Sequence, residues 1–532
     1  MAALGGTTAR REGLAFAALV FIQLASVWSF DVFATQDGAV HLLNARVLFD
    51  YDDPAHEIFR EFYTVSREWN PNWLGQLLLA WMLSAVDPDV AEKLLVSLFV
   101  LGLPLAMRSL LRASGGSGNL LALAVVPFVQ IFPLQMGFYN FCLSLVGYTW
   151  LLGQYIRLGS SFEWTRACAF SLGCVALYFA HIVSTLALLV TIGCLFIFEA
   201  QRKTHSLESG RIKAIASIAL RPLLLLTPCS LLALYFLAAE GGPAPPSLGS
   251  EVFDNASRGL LLQFFASWGE IDLLSLAPGI LLLVVLVAGV AGRGVSDLTP
   301  AQQAQSHGLA VAALVLTGLA LVMPRHSLAG EFITDRLLLY PIYLTVAWLG
   351  LREARIFSVG WVAPVLAMLA LLAAGVAWHG QRDVNRELLA FHACDDTVPA
   401  ASFLVPLTFE ARGRWLGVGS PWERVDPIVH AGSRTAIRRD SISADNFTAE
   451  NGNHPLIWQP GYLPRTQIGC TFCMPPTDLD LFAYPHAVDA VLLWKAPSPV
   501  PGPLGVQLRR HFQEACASET GETRLLLPSS LH

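Results

Sequence analysis

Three side chains with chemically useful groups, Asp37, His41 and Asn44, follow one another at the spacing i, i+4, i+7. Because an α-helix has 3.6 residues per turn, they are predicted to share one face of a short helix, while Leu43 and Val47 share another. A carboxylate can accept a proton, a neighbouring imidazole can orient it, and an amide can bind a polar substrate. The alternative is a solvated face on an interfacial helix, with Asp37 as its N-cap.

The composition indicates a polytopic membrane protein. Of 532 residues, 54% are hydrophobic and only 14% are charged, and the mean hydropathy is +0.53. Soluble globular chains carry roughly 25% charged residues. The formal net charge is −6 and no long basic run is present, which argues against a nucleic-acid partner.

Apolar segments recur at about the 20-residue length that a spanning helix needs, and they predict about eleven spans. We place these spans at 13–30, 90–111, 118–135, 141–157, 166–181, 183–199, 215–237, 273–292, 308–323, 336–352 and 357–378. The apolar run 73–86 is left out, because at 1.5 Å per residue it would be only about 21 Å long. It is predicted to lie in the membrane interface, followed by Asp87 as the N-cap of the next helix and Pro88 in its first turn.

The distribution of basic residues predicts the topology. With the N-terminus in the cytoplasm, every basic cluster between spans falls on the cytoplasmic side, as the positive-inside rule requires. These clusters contain Arg108, Arg112, Arg157, Arg166, Arg202, Lys203, Arg211, Lys213, Arg293, Arg352 and Arg355. An odd number of spans then places the C-terminal region outside the cytoplasm. We expect the membrane to be a bacterial inner membrane, with this region in the periplasm. Counting 73–86 as a span would reverse this arrangement.

The chain divides into a transmembrane domain, 1–378, whose first external loop is 31–89, and an external domain, 379–532. Buried strands are predicted at 402–407, 488–494 and 524–527, and helices at 382–392 and 506–516. The predicted fold class is therefore an α-helical polytopic membrane protein with two interfacial helices in the first external loop and a C-terminal external α/β domain.

The cysteines form two groups among the nine in the chain. The first group lies in apolar segments, where cysteine acts as a small core residue. The second group lies in the external region, where disulfides persist, and consists of Cys394, Cys470, Cys473 and Cys516. We expect these four to be oxidised, with either a local bridge between Cys470 and Cys473 or one bridge from each of these to Cys394 and Cys516.

Three segments and their layout resemble the GT-C superfamily of polytopic glycosyltransferases, which includes protein O-mannosyltransferases and the lipid A aminoarabinose transferase. The segment Asp37-Gly38-x-x-His41 is similar to the acidic motif after the first helix, although Gly38 stands where many relatives have a second acid. The run 70–94, which opens Asn-Pro-Asn-Trp, is similar to the entry to the second interfacial helix. The run 330–341 is similar to the late external loop, in which Arg336 precedes an apolar helix.

The resemblance implies transfer of a sugar from a polyprenyl-phosphate-linked donor to a glycan, lipid or protein acceptor on the external face. Asp37 is then the expected base, and His41 orients it, binds the acceptor, or joins it in holding a divalent cation such as Mg²⁺ or Mn²⁺. Arg336 and Arg325 are expected to bind the lipid phosphate, since a guanidinium grips phosphate oxygens through paired hydrogen bonds. The other expected substrate-binding residues are Asn44, Asp335 and His181. For the two arginines, the alternative is a role as snorkelling anchors at a helix end.

Two other classes of function compete with an enzyme. A lipid or solute transporter is disfavoured because transporters place ionisable groups near the bilayer midplane and are built from repeated halves, and the sequence has almost no such groups and no evident repeat. A lipid-binding scaffold without chemistry is the other alternative, and it would not require Asp37.

Overall fold

The computed structural model describes residues 2–115, 119–160, 163–204, 211–239, 252–260, 298–324, 330–351, 362–410, 425–450, 452–469, 476 and 479–529. The chain is mostly helical, with a small sheet in its C-terminal region. It forms two compact units, which are described separately. Unit 1 contains Met1–Ala25, Ser97–Pro133 and Asn140–Val376, and unit 2 contains Ser26–Val96, Leu134–Tyr139 and Ala377–His532.

The α-helices of the described residues are α1 (Ala2–Ile22), α2 (Ala25–Trp28), α3 (Gly38–Phe49), α4 (Glu57–Phe62), α5 (Leu74–Leu83), α6 (Pro88–Ala113), α7 (Asn119–Ala122), α8 (Phe132–Gln135), α9 (Tyr139–Ser160), α10 (Trp164–Ala180), α11 (Ile182–Thr204), α12 (Arg211–Ala239), α13 (Val252–Leu260), α14 (Pro300–Val322), α15 (Ile333–Leu337), α16 (Leu339–Leu351), α17 (Val362–Phe391), α18 (Gly432–Arg438), α19 (Pro464–Gln467) and α20 (Gly502–His511). Short 3₁₀ turns add Pro54–His56, Leu123–Val129, His392–Thr397 and Phe447–Ala449.

Five helical segments among the described residues are long and apolar enough to cross a membrane. They are Pro88–Ala113, Ile182–Thr204, Ile218–Ala239, Pro300–Val322 and Pro364–Thr397. Each overlaps a segment that the sequence predicts to span, and this is compatible with an integral membrane protein. The count of about eleven spans remains a prediction, and one of them, 273–292, lies outside the described residues.

Three predicted spans are interrupted, and one of them, 13–30, is divided between α1 and α2. In place of one helix over 118–135 the structure has the short pieces Asn119–Ala122, Leu123–Val129 and Phe132–Gln135. Pro127 and Pro133 explain this difference, because proline has no N–H to donate and its ring clashes with the preceding turn. The segment 336–352 is likewise divided between α15 and α16.

The segment around Trp73 forms a helix of ten residues, α5, which is about 15 Å long at 1.5 Å per residue. The helix start predicted after it is confirmed. The Oδ1 atom of Asp87 accepts a hydrogen bond from the N–H of Asp89 at 3.2 Å, and α6 begins at Pro88. The side chain of Asp87 thus satisfies one of the free N–H groups at the start of α6.

Unit 2 contains a five-stranded mixed sheet. Its strands are β2 (Phe403–Thr408), β3 (Ile442–Ser443), β5 (Ala490–Trp494), β6 (Phe512–Ala517) and β7 (Thr523–Pro528), in the order β3-β2-β5-β7-β6. The β2 strand is parallel to β3 and β5, whereas β7 is antiparallel to β5 and β6. The three predicted buried strands, which correspond to β2, β5 and β7, are confirmed.

The helix predicted at 506–516 is wrong in its second half. Helix α20 ends at His511, and the chain continues as β6, which pairs with β7 through Gln513 and Leu527. Extended backbone here brings Cys516 to Cys394, and the two form a disulfide with a Cα separation of 5.8 Å. This pairing excludes bridges from Cys470 and Cys473 to Cys394 and Cys516. Cys470 and Cys473 lie outside the described residues, so a local bridge between them remains a prediction.

A second, two-stranded sheet joins distant parts of the chain within unit 2. Strand β1 (Tyr63–Val65), from the predicted first external loop, pairs antiparallel with β4 (Leu456–Trp458). The rings of Tyr63 and Trp458 lie 4.4 Å apart. The predicted loop 31–89 therefore folds with the C-terminal region, which enters the same unit at Ala377, close to the predicted domain boundary.

Candidate functional site

Helix α3 carries His41 and Asn44 and begins directly after Asp37. It is buried on nearly all sides. Asp37 is 6% exposed, His41 is 7% exposed and Asn44 is fully buried. Val40 and Leu43 on the other face are buried as well. The solvated face of the alternative interpretation is therefore absent, and these three polar side chains are buried within the protein instead.

The backbone at Asp37 is fixed by the segment just before α9. The N–H of Asp37 donates to the carbonyl of Met136 at 2.9 Å, and the N–H of Gln36 donates to that of Gln135 at 3.1 Å. Gly137 follows with φ +86°, a left-handed conformation in which a Cβ would also contact the Gly38 nitrogen at 2.6 Å. A glycine is required at 137 for both reasons.

Asp37 is the N-cap residue of α3, but the side chain that bonds an N–H at the helix start is that of Thr35. The N–H of Gly38 donates to Oγ1 of Thr35 at 3.1 Å, and the Asp37 side chain makes no capping bond. The alternative interpretation therefore named the right N-cap residue, although the Asp37 side chain does not make the capping hydrogen bond. Its Oδ1 instead accepts a hydrogen bond from the side-chain amide of Gln36 at 3.4 Å.

Gly38 is closely surrounded by polar side chains. A Cβ added to it would overlap Oγ1 of Thr35, the hydroxyl of Tyr139 and Oε1 of Glu92. These atoms are themselves linked, since the Tyr139 hydroxyl donates to Glu92 at 2.6 Å and shares a hydrogen bond with Thr35 at 2.9 Å. Three side chains from separate segments thus converge on the residue that follows Asp37.

Arg434, on α18, completes this network. Its guanidinium lies 2.5 Å from Glu92 and 2.5 Å from Asp89, and it also donates to the carbonyl of Phe33 at 3.3 Å. Burial opposes the charged form, but the attraction of Glu92 and Asp89 outweighs it and raises the pKa of Arg434. The arginine is therefore a buried cation held between two acids.

Two histidines, one of them on α3, share one side-chain amide. The Nε2 atom of Gln76 lies 3.3 Å from Nδ1 of His41 and 3.3 Å from Nδ1 of His454. Burial lowers the pKa of His41 to about 3, with help from the neighbouring His454 and His430, and burial lowers the pKa of His454 to about 4. Both imidazoles are therefore neutral at physiological pH and can donate or accept hydrogen bonds.

Asn44 is occupied within the protein. Its amide nitrogen donates to Oγ1 of Thr448 at 2.7 Å, and its Oδ1 accepts from the amide of Asn446 at 2.7 Å. Asn446 also donates to the hydroxyl of Tyr63 at 3.0 Å. The predicted substrate-binding amide thus ties α3 to the C-terminal part of unit 2.

In the part of the chain that the structure describes, Asp37 and His41 do not belong to a group of three His, Cys, Asp or Glu side chains spaced to share one metal ion. Among the described residues, the donor atoms close enough to share an ion belong to Asp50, Asp53 and His56. That group lies beside Arg46. The Nε atom of Arg46 is 2.8 Å from Asp50, so the arginine already supplies a positive charge there. A divalent ion held by Asp37 and His41 stays a prediction.

The predicted phosphate-binding residues belong to unit 1. Nη1 of Arg336 lies 2.9 Å from Nε2 of His181, and both side chains are buried. The ring of Phe141 lies under the guanidinium at 5.5 Å and meets the imidazole edge-to-face at 5.2 Å. Asp335 is buried next to Arg336, and Arg325 lies outside the described residues. A buried arginine stacked on phenylalanine is not a snorkelling anchor.

The reasoning from sequence missed the side chains that contact Gly38 and His41, and those that contact them in turn. Gln76, Glu92, Tyr139, Arg434 and His454 come from five separate places in the chain. Glu92 carried a signal, because an acid near the start of an apolar span is expensive unless it is paired. The other four carried none in their local sequence.

The chain is helical and contains long apolar segments, which are compatible with an integral membrane protein. Each of its two units contains a buried cluster of polar side chains. No protein-family model and no curated protein matches it.

Proposed function

We propose that this chain is an integral membrane glycosyltransferase of the GT-C type, which transfers a sugar from a polyprenyl-phosphate donor to an acceptor at the external membrane face. The observation that carries this proposal is the setting of Asp37. It is a buried carboxylate at the start of α3, and the same helix carries a neutral histidine that shares the Gln76 amide with a second neutral histidine. Such a buried cluster does not make a membrane protein more soluble, and burying its polar groups costs free energy.

In the proposed reaction, an acceptor hydroxyl oxygen attacks the anomeric carbon of the donor sugar. The bond from that carbon to the phosphate oxygen breaks, and the electron pair leaves on the phosphate. Asp37 takes the proton of the attacking hydroxyl as general base. A single displacement of this kind inverts the anomeric centre. His41, neutral at physiological pH, hydrogen-bonds the acceptor without competing for its proton.

Arg336 is the proposed ligand of the donor phosphate. A buried guanidinium beside His181 supplies adjacent donors, and charge-assisted bonds to phosphate oxygens are among the strongest in proteins. These donors would also stabilise the negative charge that develops on the leaving phosphate. Asp37 and Arg336 lie in different units, and their roles are proposed separately.

The proposal includes the predicted topology, with about eleven spans, a cytoplasmic N-terminus and a periplasmic C-terminal region in a bacterial inner membrane. The Cys394–Cys516 disulfide supports an external location of that region, because disulfides persist in oxidising compartments. Cysteine-accessibility labelling tests this topology. Finding Arg108 and the region after His379 on the same side would contradict it.

The decisive experiment measures sugar transfer by the purified protein in liposomes supplied with labelled polyprenyl-phosphate sugars and acceptor lipids or glycans. Asp37→Asn keeps the size of the side chain but removes the proton acceptor. We expect it to lower turnover by about 10²- to 10⁴-fold, the usual contribution of a general base. Asp52→Asn, an exposed acid of the same loop, is the matched control and should transfer like the unmutated protein.

Three results would count against the proposal in different ways. Full transfer by Asp37→Asn would remove Asp37 from the role of base. No transfer by the unmutated protein with any donor would contradict the glycosyltransferase function and favour a lipid-binding scaffold. The transporter alternative would gain if the protein moved a labelled lipid or solute across the liposome membrane without modifying it.

A further inference from the structure

Arg434 lies at one end of a continuous hydrogen-bonded relay that ends next to Asp37. Its guanidinium donates to Oε2 of Glu92 at 2.5 Å. The other oxygen of Glu92 accepts from the Tyr139 hydroxyl at 2.6 Å, and that hydroxyl lies 2.9 Å from Oγ1 of Thr35. Thr35 in turn accepts from the backbone N–H of Gly38 at 3.1 Å.

From this relay we infer that Arg434 is a positioning residue for Asp37, the base of the proposed glycosyl transfer. The inference rests on the proposed function. Arg434 does not touch the reacting atoms. It holds Glu92 and, through Tyr139 and Thr35, the start of α3.

The side chains of the relay are closely packed. Every side chain in it is buried, and the space beside Gly38 is too small even for a methyl group. On the opposite side, the Asp37 N–H is bonded to Met136 and the Gly38 nitrogen faces Gly137. Because close-packed interiors pass small shifts on rather than absorb them, a displaced Glu92 must move the Asp37 backbone or break a buried hydrogen bond.

A matched control lies one turn along the same helix. Arg438 bonds to Asp395 at 2.8 Å and approaches Asp89 at 4.0 Å, but it makes none of the contacts of the relay. Replacing Arg438 removes a cation and an ion pair from α18 without touching Glu92, Tyr139 or Thr35. It therefore separates a general loss of charge on α18 from a specific effect on Asp37.

The first test is a double-mutant cycle on kcat and KM in the liposome transfer assay, with Arg434→Gln, Tyr139→Phe and the two combined. Misplacement of a catalytic group by about 1 Å can cost about 10²-fold in rate. We expect each single variant to lower kcat by roughly 10- to 100-fold with little change in the donor KM. The combined variant should lose no more than the worse single one, because both changes break the same relay.

Arg438→Gln should keep kcat within about twofold of the unmutated protein, since it lies outside the relay. Unchanged kcat in folded Arg434→Gln would overturn the inference, and so would losses that multiply in the combined variant. If Arg434→Gln does not fold, Arg434→Lys replaces it, because lysine keeps the charge but loses the paired geometry of the guanidinium.

The second test does not depend on sugar transfer. Hydrogen exchange of peptides covering residues 36–44 should be faster in Arg434→Gln and Tyr139→Phe than in the unmutated protein, and unchanged in Arg438→Gln. Equal protection in all four proteins would overturn the inference. If the unmutated protein shows no transfer at all, the proposed function fails, whereas the exchange comparison still decides whether Arg434 holds the Asp37 segment.

Discussion

The imidazole rings of His41 and His454 lie 5.5 Å apart, and Nδ1 of each is within 3.3 Å of the same amide nitrogen of Gln76. One amide group carries two hydrogens, so it can donate to both rings at once. Each ring then keeps its own proton on Nε2. A second proton would make either ring positively charged. That charge would be buried, and it would face the Gln76 amide hydrogens and the other imidazole.

This arrangement predicts a loss of stability in mild acid. The pKa of His41 is about 3 and that of His454 about 4 in the folded protein, against 6.5 for the unperturbed side chain. Because the unfolded chain binds these protons more readily, the stabilisation is complete above about pH 6.5 and falls as the pH drops toward the folded values. Between pH 6.5 and 5, each histidine should cost roughly 2 kcal/mol.

Thermal unfolding in detergent between pH 7.5 and 5 measures this effect. A double variant, His41→Asn with His454→Gln, should show a weaker dependence of Tm on pH than the unmutated protein. His511→Gln, an exposed histidine, should leave the dependence unchanged. The same pH dependence in all three proteins would show that the His41 and His454 pair does not titrate in this way.

The sequence predicted the elements that local periodicity specifies. The five long apolar helices and the strands β2, β5 and β7 match runs of apolar residues, and the start of α6 matches the Asp87-Pro88 signal. The broken segment around Pro127 shows the reverse case, in which apolar composition was given more weight than a helix-breaking residue.

The surroundings of the site could not be predicted in this way. Asn44 was placed on a polar face by its spacing, but its partners Thr448 and Asn446 lie about four hundred residues further along the chain. Likewise, an even number of external cysteines predicts oxidation, but the choice of Cys516 as the partner of Cys394 depends on the sheet. Helical period tells which residues share a face, and only tertiary packing tells what that face meets.

Gly38→Ala should destabilise the protein although alanine is the better helix former. The added methyl group would overlap Thr35, Tyr139 and Glu92. Forcing extra atoms into a packed site typically costs about 1–3 kcal/mol. Gly318→Ala is the control, because a Cβ at this glycine of α14 meets nothing within 4 Å and should be neutral or stabilising. Thermal unfolding measures the stability of both variants. A Gly38→Ala protein as stable as the Gly318→Ala protein would show that the space beside Gly38 can hold a methyl group.

Loss of the Cys394–Cys516 bridge should also destabilise unit 2. The cysteines are 122 residues apart, and cross-links that close loops of this size typically contribute about 2–5 kcal/mol by restricting the unfolded chain. Cys394→Ser should therefore lower Tm, and Cys516→Ser should do the same, while a reductant should lower the Tm of the unmutated protein. Cys168→Ser, at an exposed free cysteine, should have no effect. Free-thiol labelling that found Cys394 and Cys516 fully reactive in the isolated protein would contradict the bridge.

Arg336 and Asp37 should differ in which step of the proposed reaction they affect. Arg336→Ala removes a buried guanidinium that sits 2.9 Å from His181, and hydrogen bonds to a charged group contribute about 1.5–3 kcal/mol. We expect Arg336→Ala to weaken the binding of fluorescent polyprenyl phosphate by roughly 10- to 100-fold. Arg336→Lys should recover part of this loss, because the charge remains but the paired geometry does not.

Asp37→Asn should bind the same lipid phosphate as tightly as the unmutated protein and yet fail to transfer sugar, since it lacks only the proton acceptor. Lipid titrations in detergent measure the binding of all four proteins without any need for turnover. Unchanged binding by Arg336→Ala would remove Arg336 from the phosphate site. Weakened binding by Asp37→Asn would show that this carboxylate shapes the donor site, in which case the fall in its transfer rate could no longer be assigned to the loss of a base.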